Sequence, residues 1–167
     1  IILNGRGFDP ENLVAELKIE SNNSYIHKIK YDKLTLNASA NKGRFLLDTI
    51  GIEFMIPDVP SYLEQENPGF FASGSFTMAD EESTYALYSN FNGLDIANIA
   101  DVPNAPEYIT GRMKLNGSGI QPENMSGNVD LEVDYALFGD RAMMPFEITM
   151  KMQQLDSMRK KLTLESE

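Results

Sequence analysis

Few residues in this chain are of a type and spacing that could do chemistry. His27 is the single histidine, set between Ile26 and Lys28 in a predicted strand, and the chain has no Cys. A zinc site needs four His, Cys or carboxylate ligands, and a nucleophilic triad needs a histidine beside a hydroxyl and an acid. With one histidine and no HxxxH or HExxH spacing, His27 reads as a polar residue of an outer strand face. Gly5/Gly7 and Gly117/Gly119 form GxG pairs, but both lack the third glycine and following helix of a dinucleotide site. With Pro10 and Pro122 they read as structural turns that need tight backbone geometry. Asp80, Glu81 and Glu82 read as a hairpin tip, and Glu64 and Glu66 as a turn or short helix. Neither group has the spaced ligands of a calcium loop. The expectation is a chain with no catalytic residue, no metal and no cofactor, and not an enzyme.

The apolar inventory is richer. Val129, Leu131, Val133, Tyr135 and Leu137 alternate with polar residues, as do Phe146, Ile148, Met150 and Met152. Leu34, Leu36 and Ala38 repeat the habit, then Ile50, Ile52, Phe54 and Ile56. Period 2 lines up each set on one face of a strand. Leu131, Val133, Tyr135, Phe146, Ile148, Met150, Met152, Leu34, Leu36, Ile52 and Phe54 are therefore the expected lining residues of an apolar surface. Such a surface is ordinary core in a closed fold. Left open, it takes acyl chains or unfolded β-strands, and methionine adapts to either.

Charge narrows the partners. Lys and Arg total 14 against 25 Asp and Glu, a formal charge of -11, and the one dense cationic run is Arg159, Lys160 and Lys161. Nucleic acid needs a cationic surface, so it is not an expected partner. No apolar run approaches the roughly 20 residues of a membrane-spanning helix. The absence of Cys fits an extracytoplasmic setting and many cytosolic proteins alike. The opening IILNGRGFDP has neither an initiator Met nor a signal pattern, which reads as a fragment of a larger protein.

The chain also repeats itself. LNGRGFDPENLVAELKIE from Leu3 and LNGSGIQPENMSGNVDLE from Leu115 share eight of 18 positions. Leu162 and Leu164 near the end resemble Phe45 and Leu47. Residues 1–110 are read as one unit and 111–167 as the first half of a second, with adjacent units of the same chain as stacking partners. Beyond Glu20 the match is expected to need a shift of about five residues, and Gly139 to Pro145 has no evident counterpart.

Strands are expected at about 13–20, 26–38, 44–56, 70–78, 84–91, 109–116, 127–137, 145–153 and 161–165, with prolines mainly between them. Short helices are expected only at Ser61 to Glu66, Ile96 to Ala100 and Leu155 to Lys161. The fold class is all-β, with repetitive antiparallel strands. One wet face per strand leaves one apolar face, covered in a closed sandwich or barrel and exposed in an elongated, curled sheet with an open groove.

From Tyr85 onward the sequence resembles the AsmA/TamB superfamily of bacterial envelope proteins. The resemblance rests on Leu94-Asp-Ile-Ala-Asn-Ile99, the Gly111 to Gly119 strand and Met125-Ser-Gly-x-Val-x-Leu131, with its second part repeated from Leu3 to Ile19. It implies a β-taco-like groove in the periplasm, within a protein anchored in the inner membrane by a helix outside this segment. It implies phospholipid or another acyl lipid as cargo, with an outer-membrane assembly protein as a further partner. The alternatives are a scaffold or chaperone for outer-membrane protein assembly that pairs β-strands, and a closed β-sandwich from a surface protein.

Overall fold

Alternating apolar and polar residues, rich in β-branched and aromatic types, form strands wherever the alternation runs for five residues or more. The computed structural model describes residues 1–7, 9, 11–26, 29–54, 68–78, 83–100, 105–119, 124–154 and 160–166. His27, Pro10, Pro122 and the helix expected at Ser61 to Glu66 lie outside them. The strands are β1 (Ile2–Arg6), β2 (Val14–Ile26), β3 (Ile29–Asn41), β4 (Arg44–Phe54), β5 (Gly69–Thr77) and β6 (Thr84–Leu94). After helix α1 (Ile96–Ala100) come β7 (Tyr108–Ser118), β8 (Ser126–Phe138), β9 (Arg141–Met143), β10 (Phe146–Gln154) and β11 (Lys160–Ser166). The helix at 96–100 is as expected. The one expected from Leu155 is not continued at its far end, because Lys160 and Lys161 open β11. Strands β1 and β9 were not expected: a five-residue strand with a glycine in it and a three-residue strand carry too little alternation to read.

All eleven strands belong to one antiparallel sheet, each pairing with its neighbour in sequence. β9 and β10 both pair with β8 and make a single interrupted strand, broken at Met144 and Pro145. Pro145 has no N–H to give the ladder, so the break falls where a hydrogen bond is already lost. β1 and β11 are the two edges of the sheet, which does not close into a barrel. Nor do the described strands form the two sheets of a sandwich.

A single sheet has one apolar face only if every strand keeps its side chains in phase. The phase would fail in three places where apolar residues are not spaced by two. In each, one extra residue enters the ladder: Asp32 in β3, Asp48 in β4 and Asp134 in β8. Leu47 and Ile50 thereby reach the same face although three residues separate them, and so do Val133 and Ala136. Aspartate suits the job, since it leaves the extended conformation readily and its charge stays on the polar face. Asn92 and Gly93 do the same in β6, where Gly93 has φ +56° and its N–H donates to Thr110 Oγ1 at 3.0 Å.

The repeat is structural. Leu3 pairs with Leu17 and Gly5 with Ala15, as Leu115 pairs with Val129 and Gly117 with Gly127. The same offset of 112 residues continues into the next pair: Ser21 with Leu34 and Ile26 with Ile29 correspond to Val133 with Phe146 and Phe138 with Arg141. No shift follows Glu20, contrary to the expectation, and Gly139 and Asp140 occupy the two-residue turn between β8 and β9 that corresponds to residues 27–28. The five-residue shift enters later, between β10 and β11, where Leu162 pairs with Met152 as Phe45 pairs with Ala40. Leu164 pairs with Met150 as Leu47 pairs with Ala38, so the two likenesses expected at the chain's end hold in register. The boundary placed at 110 falls inside β7, whose last five residues are the counterpart of β1.

The shared glycines explain the motif's strictness. Gly7 and Gly119 both adopt the left-handed region, at φ +82° and +74°. A Cβ on Gly7 would stand 2.7 Å from Asn12 O, and one on Gly119 would overlap the carbonyl of Asn124. Gly7→Ala and Gly119→Ala should therefore each lower stability by about 1–3 kcal/mol. Urea denaturation measures this, and an unchanged midpoint for both would contradict the assignment.

Candidate functional site

Register decides which residues share a face, because partners across an antiparallel ladder point to the same side. One row runs across every strand of the main path. Its interior is Leu17, Ala38, Leu47, Leu87, Leu115 and Val129, with Gly74 between Leu47 and Leu87. Leu3 ends it at β1, and Met150 and Leu164 end it at the other edge. At about 4.8 Å per strand this row is roughly 43 Å long. A second row carries Ile19, Leu36, Ile50, Met113, Leu131 and Ile148, and a third Leu34, Ile52, Phe70, Phe91, Val133 and Phe146. In a fourth, Phe45 and Phe76 stack with ring centroids 6.0 Å apart.

All of the expected lining residues fall on this face except Tyr135. Leu131, Val133, Phe146, Ile148, Met150, Met152, Leu34, Leu36 and Ile52 belong to the four rows, and Phe54 pairs with Tyr31 just beyond them. Tyr135 instead pairs with Thr110, and Leu137 with Tyr108, on the opposite side. The Asp134 bulge reverses the alternation there and puts Ala136 inward in their place. Met113, Leu115, Leu87, Phe70 and Phe91 were not singled out. Met113 and Leu115 do alternate with Arg112, Lys114 and Asn116, and that signal was available. In β5 and β6, Phe71 and Tyr88 sit on the outer face and blur the pattern.

Much of the first row of this face is only partly covered. Among the described residues the main contacts between elements are those between sheet neighbours. Leu17, Leu36, Leu47, Leu87, Leu115 and Leu131 are only half-buried. Part of the face is covered: Val133 and Ser89 are 1% exposed, and Tyr31, Ala72, Leu94 and Ala136 are buried as well. Between β3 and β7 the face is hollowed by a trough of about 330 Å³, with Ala38, Phe45, Leu47, Phe76, Leu87 and Leu115 in its wall. Full burial of a Leu or Ile side chain is worth about 1.5–3 kcal/mol, so each partly exposed one leaves roughly 0.2–1 kcal/mol for a ligand to claim.

The other face holds the charge. Arg112 donates from Nε and Nη2 to the two oxygens of Glu132, at 2.7 and 2.6 Å. Those bonds and the Glu132 charge raise the Arg112 pKa, with Asp134 adding to it. Thr149 Oγ1 donates to Asp130 at 2.9 Å, and Lys151 meets Glu165 at 3.4 Å. Among the described residues no group of three His, Cys, Asp or Glu is placed to hold a metal ion, and no helix is long and apolar enough to cross a membrane.

Ser89 is a buried polar residue of the second row, between Ala72 and Met113, and its Oγ finds no hydrogen-bond partner among the described residues. A buried, unsatisfied hydroxyl costs about 1–3 kcal/mol. Ser89→Ala should therefore raise the Tm and add on the order of 1 kcal/mol by thermal or urea unfolding. A loss of stability would show that the hydroxyl is satisfied in solution.

Set against known proteins, the chain stands apart: no family model matches it, and neither a curated protein nor a solved structure matches it.

Proposed function

We propose that this chain is a non-enzymatic wall of an open β-groove in a bacterial envelope protein, and that it shields lipid acyl chains in transit between the inner and outer membranes. The observation that carries this reading is the apolar face that runs across the sheet and stays partly exposed along its first row, with a charged face behind it. The resemblance to the AsmA/TamB superfamily noted in the sequence points the same way and supplies the periplasmic setting.

The scale is suitable. One leaflet's acyl chains span about 15 Å, half of a hydrocarbon core, so a row of roughly 43 Å is longer than any single chain. A methylene removed from water gains about 0.8 kcal/mol, and it gains that at any point along an unbroken row. Similar affinity everywhere is what movement needs, because no site is deep enough to trap the cargo. The headgroup stays in water at the open side. A groove of this kind gives a path and no direction, so direction must come from the membranes at its ends.

Photo-crosslinking amino acids at Leu131 and Ile148, with Glu147 and Lys151 as outer-face controls, test the reading in bacterial cells. Lipid adducts are expected at the first pair and not at the second. Crosslinks from Leu131 and Ile148 only to protein would exclude the lipid path for this segment.

A further inference from the structure

The charged face of the sheet carries a cleft of its own, which follows β5. Its floor is made of small side chains, Ser73 and Ser75 of β5 with Ala86 of β6. Its walls are longer ones: Arg44, Leu46 and Asp48 rise from β4 on one side, and Tyr88, Lys114 and Asn116 from β6 and β7 on the other. Register explains the shape. Leu46, Ser75, Ala86 and Asn116 form one outer row, and Ser73, Tyr88 and Lys114 the next. The cleft has a volume of about 460 Å³, inside the roughly 300–1,000 Å³ of small-molecule sites.

Two cations meet here without anions of their own. Elsewhere on this face Arg112 is paired with Glu132 and Lys151 with Glu165, whereas among the described residues Arg44 and Lys114 have no ion pair. Asp130 is the ladder partner of Lys114, but its carboxylate accepts hydrogen bonds from Asn128 and Thr149 instead. An anion held between Arg44 and Lys114 gains from both. Their strands are three ladder steps apart, roughly 14 Å, a gap that an arginine and a lysine reaching inward bridge through one phosphate.

The remaining lining suits a polyhydroxylated body. Asp48 is the extra residue of the β4 bulge, a device that re-aims side chains. It is exposed, and among the described residues nothing donates to its carboxylate. Ser73 lies beside it as donor and acceptor. The Tyr88 ring is 37% exposed and is held by its hydroxyl, which donates to Asn90 Oδ1 at 2.8 Å. A fixed aromatic face is a seat for the C–H face of a sugar ring. A bare phosphate would leave Asp48, Tyr88 and most of the cleft unused.

We propose that this cleft binds a sugar phosphate. The phosphate sits between Arg44 and Lys114 above Ser75, and the sugar lies at the Tyr88 end with its hydroxyls on Asp48 and Ser73. The cleft is on the face opposite the apolar rows, so the inference does not depend on what those rows carry.

NMR titration of the 167-residue chain with glucose 1-phosphate tests it. Saturable shifts are expected at the cleft residues, with a Kd of about 0.1–1 mM. Glucose alone and inorganic phosphate alone should each bind at least about fivefold more weakly. Arg44→Gln and Lys114→Gln should each weaken binding about tenfold. Both side chains are exposed, so the fold should be kept. Lys151→Gln removes a cation from the same face outside the cleft and should leave the affinity unchanged. No saturable binding up to about 10 mM, equal binding of inorganic phosphate and the sugar phosphate, or equal weakening by Lys151→Gln would each overturn the proposal.

Discussion

One constraint governs this molecule: in a single-layer antiparallel sheet, the backbone ladder fixes the side of every residue, and all eleven strands must agree. A slip of one residue anywhere would turn the rest of a strand inside out. Long strands with imperfect alternation cannot satisfy this by pattern alone. Asp32, Asp48 and Asp134 satisfy it by taking up the odd residue on the polar face, so that Leu34, Ile50 and Ala136 return to the apolar one. The bulges bend the strands where they occur, and a sheet that bends toward one face acquires a hollow there.

The energetics follow from having one layer. In a sandwich the apolar faces of two sheets cover each other, and most inward side chains are lost from water. Here the leucines and isoleucines of the interior rows are covered mainly by their cross-strand and diagonal neighbours and most stay partly exposed. Stability must therefore come from many pair contacts of about 0.2–1 kcal/mol and from the ladder itself, with no dense centre. The surface left over would favour sheet-on-sheet stacking. A net charge of -11, placed largely on the outer face and at the turns, opposes that association.

Repetition extends this arrangement without new design. Because β1 to β3 and β7 to β10 share one offset, each apolar row has corresponding residues in the two sets of strands, with β4 to β6 joining them. Contacts stay between neighbours, so the assembly behaves as a quasi-one-dimensional array whose length is set by the number of units. The change of offset falls between β10 and β11 and leaves the pairing of Leu162 and Leu164 unaltered.

Much of the fold was legible in the sequence. The strands from β2 to β8 follow from period 2, as does the placing of Leu131 and Ile148 on one side of adjacent strands, and the internal match marked a recurring segment. Strands β1 and β9 were not legible, since five residues with a glycine among them, or three shortly before a proline, carry no alternation. Most of the apolar face was legible for the same reason, and Tyr135 marks the limit. Its alternation with Val133 is unbroken in sequence, yet a bulge puts it on the other side. Periodicity is a local property and reports which residues alternate within a strand. Whether the alternation survives pairing depends on hydrogen bonds to strands 20 or more residues away. Openness was beyond the sequence for the same kind of reason: a closed sandwich and an open sheet need identical alternation, and only the order of the strands in space separates them.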